Sequence, residues 1–157
     1  MSKTVKSEGS LSEASVHVLV YGTLRKGEKA SALLTEELGA EYEQNVVLAD
    51  TMLTLPFMCS FPVILKCKGA STHCEQYLVP RGAIEALDAY EGVVQGLYIR
   101  SFLPEYQSFI YVKGPRLALP KDFKVPTSCD TGKLYSYVNG VIQVEYLTRP
   151  VVSGRSK

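Results

Sequence analysis

The sequence lacks an excess of charge of either sign. Its 157 residues include 17 basic and 16 acidic side chains, which leaves a formal net charge of +1. Proteins that bind nucleic acid normally carry a basic patch, so nucleic acid is not expected as a partner. Long hydrophobic runs are also missing, because no apolar segment approaches the roughly 20 residues needed to cross a bilayer. We therefore expect no membrane partner.

The cysteines and histidines lack the spacing of a metal or redox site. No cysteine pair forms a C-x-x-C motif, and His17 and His73 have no third ligand at a suitable distance. We interpret the cysteines as reduced thiols, with two disulfides as the alternative. Segment 1–15 is polar, lacks the apolar core of a signal peptide and is predicted to be a flexible tail, which favours a cytoplasmic location. The cysteines are Cys59, Cys67, Cys74 and Cys129.

The residues that are present are typical of one globular domain. Hydrophobic residues make up 46% of the chain and charged residues 21%, and the length suits a single core. The β-branched, apolar run Val16–Tyr21 predicts a buried strand. Two helices are predicted, Lys29–Leu38 and Ala83–Tyr90, each followed by a glycine that can end it.

Seven further segments are candidate strands, and about seven strands are predicted in all. Asn139-Gly140 is a strong hairpin signal between the last two of them. Strands in the majority, with two helices inserted, predict an α+β fold: a small mixed β-barrel of six to seven strands with two flanking helices. These further strands are Tyr42–Leu55, Phe61–Leu65, Glu75–Val79, Leu97–Leu103, Gln107–Val112, Lys133–Val138 and Val141–Leu147.

The first candidate site is the loop Tyr21-Gly22-Thr23-Leu24, which follows the first strand. Gly22 would let the backbone approach a ligand closely, and successive amides can form a concavity for a carboxylate or an oxyanion. An ordinary strand-to-helix turn explains the same four residues taken alone. Arg25 and Lys26 follow in the loop and are interpreted as solvated charges, with attraction of a substrate carboxylate as the alternative.

The second candidate is Glu91, at the end of the second predicted helix. A carboxylate there faces the negative end of the helix dipole, and shielding by Tyr90 would also favour its neutral form. Both effects raise the pKa and suit the group to proton exchange near neutral pH. A solvated surface glutamate before Gly92 is the alternative interpretation.

The two features in combination resemble the γ-glutamylcyclotransferase-like family. The resemblance is carried by V-Y-G-T-L-R at 20–25 and by L-D-x-Y-E-G and L-Y-x-R at 87–92 and 97–100. It covers roughly residues 16–113 and implies a small mixed barrel with flanking helices. Residues 114–157 are predicted to form a C-terminal extension with a β-hairpin, packed on the same domain. The chain departs from the family pattern at Ser60 and Cys74, where glycine is common.

The resemblance implies catalytic Glu91 as the general acid/base and a substrate loop formed by Tyr21, Gly22, Thr23 and Leu24. The implied reaction converts a γ-glutamyl amino acid or amine to 5-oxoproline and the free amine, without a metal or organic cofactor. The partner is then a small γ-glutamyl substrate, and the leaving amine stays open. A homodimer contact through the C-terminal hairpin stays open as well. The alternative function is a non-catalytic module that binds a γ-glutamyl-like ligand or a protein.

Overall fold

The computed structural model describes residues 15–125 and 132–147. It contains seven strands, one α-helix, a five-residue π-helix and two short 3₁₀ turns. The strands are β1 Ser15–Val20, β2 Glu41–Thr54, β3 Val63–Pro80, β4 Tyr98–Leu103, β5 Ser108–Lys113, β6 Lys133–Val138 and β7 Val141–Tyr146. The π-helix is Leu33–Glu37, the α-helix α1 is Ile84–Tyr90, and the 3₁₀ turns are Arg81–Ala83 and Pro104–Tyr106.

All seven strands belong to one mixed sheet, with the order β4-β5-β1-β3-β6-β7 and with β2 paired to β3. Strand β3 is central because both of its edges are paired. Strand β2 pairs antiparallel with one edge. Its other edge pairs with β1 through residues 75–80 and with β6 at Ser71 and Thr72. The chain therefore leaves β1 close to the place where β6 joins the sheet.

Strand β1 is buried on both faces of the sheet. Val18 and Val20 belong to one core cluster, whereas Leu19 and Tyr21 belong to the other. Successive side chains of a strand point to opposite faces, which explains why residues 18–21 are apolar at every position. Helix α1 packs through Leu87 on the same core as Val18.

The mixed α+β class is confirmed, but the predicted barrel is not. The described strands form an open path, and no pairing between β4 and β7 closes it within residues 15–125 and 132–147. Closure depends on which end strands meet, and a strand pattern does not specify that choice. The Asn139-Gly140 turn does connect β6 to β7, with positive φ at both residues.

Two predicted strands, Phe61–Leu65 and Glu75–Val79, fall on the single strand β3, which begins at Val63 and so excludes Phe61 and Pro62. A bulge lies within the β2–β3 ribbon, where the register shifts between Ala49 and Thr51. Asp50 and Gly69 both have positive φ there, and Asp50 Oδ1 accepts a hydrogen bond from the Gly69 N–H at 3.0 Å. The bulge bends the ribbon without breaking it, so the glycine does not mark a strand end.

The predicted helix Lys29–Leu38 is also shorter than expected. Residues 31 and 32 are helical and lead into the π-helix, in which the Leu38 N–H donates to the Leu33 carbonyl at 3.0 Å. Residues 29 and 30 lie in a turn, where the Ala30 N–H donates to the Thr23 carbonyl at 2.9 Å. The predicted tail 1–15 lies outside the described residues except for Ser15, and the domain limits at 15/16 and 113/114 stay predictions.

Candidate functional site

A cavity of about 280 Å³ opens beside the end of β1. Four segments form its walls: the end of β1 with the loop that follows it, the Phe61-Pro62 segment, the end of α1, and the β4–β5 region. All five predicted site residues lie in its wall. The lining residues are Leu19, Val20, Tyr21, Gly22, Thr23, Leu24, Phe61, Pro62, Tyr90, Glu91, Leu97, Tyr98 and Tyr111.

The loop after β1 is held by its own backbone. The Arg25 N–H donates to the Gly22 carbonyl at 3.0 Å, which closes a tight turn. Gly22 also lies against the opposite wall, because a Cβ at this position would be 3.0 Å from Pro62 Cγ. Among the described residues, none accepts a hydrogen bond from the N–H groups of Gly22, Thr23 or Leu24. The three residues line the cavity, so their amide groups are candidates to bind an anion.

Glu91 follows α1 directly, and the backbone fixes its position. Its N–H donates to the Leu87 carbonyl at 2.9 Å, and Gly92 then turns the chain with a φ of +68°. The left-handed glycine ends the helix as the sequence predicts. A Cβ on Gly92 would lie 2.7 Å from Leu97 Cδ1, so the close packing of this turn also requires glycine.

The Glu91 carboxyl has a strongly raised pKa. Burial is the largest cause, and with the neighbouring Asp88 carboxylate it raises the pKa of Glu91 from 4.5 to about 8. A partly buried acid beside a second negative charge resists ionisation in this way. The direction agrees with the sequence-based expectation, and burial is one of the two expected causes, whereas the Asp88 charge is not among them. Tyr90, expected to shield Glu91, is itself 44% exposed.

Asp88 is fixed by two donors from neighbouring strands. Arg100 Nη1 donates to Asp88 Oδ2 at 2.7 Å, and the Tyr111 hydroxyl donates to Oδ1 at 2.6 Å. Because Asp88 precedes Glu91 by one helical turn, these contacts hold its charge at a set place relative to Glu91.

The aromatic side chains of the wall are fixed as well. The Tyr98 hydroxyl donates to the Pro62 carbonyl at 2.7 Å, and the Tyr21 hydroxyl donates to the Tyr111 carbonyl at 2.6 Å. Burial raises the pKa of both phenols, so both keep their protons near neutral pH. They therefore shape the cavity as neutral groups.

The structure places Arg25 away from the cavity wall. Arg25 Nε lies 3.2 Å from Glu75 Oε2, in an ion pair whose side chains are 10% and 7% exposed. The sequence-based interpretation of Arg25 as a solvated charge is thus wrong, and its alternative role at the substrate carboxylate has no support in the geometry. Cys74 is not one of the lining residues either, and burial raises the pKa of its thiol to about 12.

Within residues 15–125 and 132–147, no group of three or more His, Cys, Asp or Glu side chains could hold a metal ion. No disulfide joins Cys59, Cys67 or Cys74 to one another, and Cys129 lies outside the described residues. No helix in the described part of the chain is long and apolar enough to cross a membrane.

Sequence reasoning missed several residues of the wall. Tyr111 is the most consequential, because it contacts both Asp88 and Tyr21. It reaches the site through the parallel pairing of β1 with β5, in which Leu19 lies opposite Ile110. No local sequence pattern predicts a pairing between segments so far apart in the chain.

Comparison with known proteins identifies the family of the chain. A family model described as gamma-glutamyl cyclotransferase, AIG2-like, matches residues 18–128. The chain belongs to this family. The match includes the loop after β1 and Glu91, and it extends beyond residue 113, where the motif resemblance ends. No curated protein matches the chain at a significant level.

Solved structures share the family fold at low sequence identity. An AIG2-like protein from Mus musculus is 21% identical, with 74% of this chain and 93% of that chain covered and a TM-score of 0.51. An uncharacterized protein from Pyrococcus horikoshii is 23% identical, with 66% and 82% covered and a TM-score of 0.51. YkqA from Bacillus subtilis is 16% identical, with 78% and 47% covered and a TM-score of 0.55. These likenesses establish the fold alone.

Proposed function

We propose that this chain is a γ-glutamylcyclotransferase-type enzyme that converts a γ-glutamyl amino acid or amine to 5-oxoproline and the free amine. Glu91 is the general acid/base, and Tyr21, Gly22, Thr23 and Leu24 form the substrate loop. The observation that carries the proposal is that Glu91 and the loop after β1 line the same cavity. A proton acceptor and an anion-binding surface are the two groups that this cyclisation needs.

The reaction begins with proton transfer to Glu91. Its ionised carboxylate takes a proton from the α-ammonium group of the substrate, which gives the nitrogen a free electron pair. With a pKa of about 8, the carboxylate is a far stronger base than an ordinary glutamate. About one tenth of the free enzyme is then ionised at pH 7. The reduced ionised fraction is offset by this greater basicity.

Ring closure follows within one glutamyl unit. The amine nitrogen attacks the γ-carbonyl carbon and forms the new C–N bond, while the electrons of the C=O bond move to oxygen. Amide N–H groups such as those of Gly22 and Thr23 are suited to the substrate carboxylate or to this developing oxyanion. Holding the two reacting groups together can lower the barrier by roughly 7–11 kcal/mol in ideal cases.

Collapse of the tetrahedral intermediate completes the reaction. The electrons return to the carbonyl, the original amide C–N bond breaks, and Glu91 gives its proton to the departing nitrogen. The ring nitrogen loses its second proton through Glu91 to the same amine, which leaves as an ammonium ion. Glu91 ends in its starting state, and atoms balance without water or a redox partner. The aromatic wall around Glu91, with Tyr98 and Phe61, limits the access of water that would compete with the amine.

The proposal is tested with a panel of γ-glutamyl compounds whose leaving groups are an α-amino acid, the ε-amine of lysine, a polyamine and a Cys-Gly unit. We expect 5-oxoproline, detected by mass, from at least one of them. The matched controls are the N-acetyl derivative of the best substrate, whose blocked amine cannot attack, and its α-glutamyl isomer. No product from any member of the panel would reject the enzyme in favour of a binding module.

A further inference from the structure

The hairpin formed by β6 and β7 lies beyond the region matched by the family model, which ends at residue 128. It nevertheless contacts two of the segments that form the cavity wall. Three separate contacts connect it to them, through Arg25, Glu28 and Tyr137.

The first contact is made by the buried Arg25 guanidinium. Its Nη1 donates to the Tyr137 carbonyl of β6 at 2.9 Å, while its Nε pairs with Glu75 on β3. Arg25 directly follows the substrate loop, and the next residue, Lys26, donates its N–H to Glu75 Oε1 at 2.8 Å. The end of the loop is thereby attached to both β3 and β6.

The second contact lies at the tip of the hairpin. The Glu28 carboxylate accepts the Asn139 N–H at 2.8 Å and the Gly140 N–H at 3.1 Å. Both turn residues have positive φ, 53° for Asn139 and 79° for Gly140. This conformation directs the two N–H groups to one side of the turn, where a single carboxylate binds both.

The third contact reaches the opposite wall of the cavity. The buried Tyr137 side chain donates its hydroxyl to the Ser60 carbonyl at 3.1 Å. Ser60 directly precedes Phe61 and Pro62, both of which line the cavity. One residue of β6 thus contacts both walls, with its carbonyl on the Arg25 side and its hydroxyl on the Ser60 side.

We propose that the β6–β7 hairpin is a positioning element of the candidate active site, which fixes the substrate loop against the Phe61-Pro62 wall through Arg25, Glu28 and Tyr137. Its effect on turnover rests on the proposed cyclotransferase function, whereas its effect on the loop does not. None of the three residues belongs to the cavity lining, so each acts by holding residues that do. Small displacements of positioning groups have large effects on reactions that depend on orientation.

The test uses Glu28→Ala and Tyr137→Phe in the full chain, with Glu36→Ala and Tyr146→Phe as matched controls on exposed side chains. Amide hydrogen exchange is measured across residues 25–28 and 57–61, which include the hydrogen-bonded N–H groups of Arg25, Glu28, Phe57 and Cys59. We expect exchange to accelerate about tenfold in the first segment for Glu28→Ala and in the second for Tyr137→Phe. Both controls should stay within about twofold of the wild type.

Kinetics with the best γ-glutamyl substrate provide the second measurement. We expect kcat/KM to fall about tenfold for Glu28→Ala, mainly through KM, with its pH dependence unchanged because Glu91 is untouched. Exchange in both segments equal to that of the controls would overturn the positioning role, even if the variants melt at lower temperature. If no panel member is turned over, the proposed function fails, and the exchange comparison still decides the role of the hairpin.

Discussion

Replacing Glu91 with glutamine is expected to lower the kcat for 5-oxoproline formation by about 10²- to 10⁴-fold. Glutamine keeps the size and polarity of the side chain but cannot take a proton from the substrate ammonium group or return one to the leaving amine. KM should change little, since the substrate loop is intact. The measurement is steady-state kinetics at pH 8 with the best substrate of the γ-glutamyl panel.

The matched control is Glu85→Gln, an exposed glutamate in the same helix, which should leave kcat unchanged. A Glu91→Gln variant with wild-type activity would remove Glu91 from the mechanism. Loss of folding is checked separately by thermal unfolding.

The native state binds the Glu91 proton up to a pKa of about 8, against 4.5 for the ordinary group. The contribution of Glu91 to the free energy of unfolding is therefore fully present below pH 4.5 and is lost as the pH rises through 8. The Glu91→Gln variant should thus gain stability relative to the wild type as the pH rises from 4.5 to 8.

Replacing Arg25 with alanine is expected to lower the free energy of unfolding by about 3–5 kcal/mol. The substitution leaves the buried Glu75 carboxylate without its cationic partner, although the Tyr77 hydroxyl and the Lys26 N–H still donate to it. It also frees the Tyr137 carbonyl on β6. The measurement is equilibrium unfolding in urea, with the slope compared between variants to check that the transition stays two-state.

Lys26→Ala is the matched control for Arg25→Ala. It removes one positive charge from the adjacent position, but the Lys26 side chain is exposed and its N–H contact with Glu75 is retained. We expect a change within about 0.5 kcal/mol. Adding Glu75→Gln to Arg25→Ala should restore part of the lost stability, because it removes the unpaired buried charge. An Arg25→Ala loss as small as that of Lys26→Ala would contradict the structural role given to this ion pair.

Local signals in the sequence predict much of the fold. The apolar run ending at Val20 gives β1, the periodicity ending at Tyr90 gives α1, and Asn139-Gly140 gives the turn between β6 and β7. Each of these elements depends on residues close together in the chain. The same holds for Gly92, whose positive φ ends α1 beside the candidate base.

The features that sequence reasoning missed depend on contacts between distant residues. Arg25 is buried because Glu75, fifty positions away, is its partner. Tyr111 reaches the cavity because β5 pairs in parallel with β1. Strand β3 continues through Gly69 because Asp50 on β2 completes a bulge there. Propensity and periodicity carry no information about such pairings. The motifs therefore predict part of the cavity wall, whereas the complete set of lining residues follows only from the three-dimensional fold.

The pH dependence of kcat/KM for the wild-type enzyme is the most direct test of Glu91 as the proton-transferring group. This parameter reports the ionisation of the free enzyme and free substrate. Because the ionised carboxylate is the active form and burial raises the pKa of Glu91 to about 8, kcat/KM should rise about tenfold per pH unit below 8 and bend there. A value of kcat/KM that stays constant between pH 6 and 8 would contradict the account, because the proton acceptor would then ionise below that range.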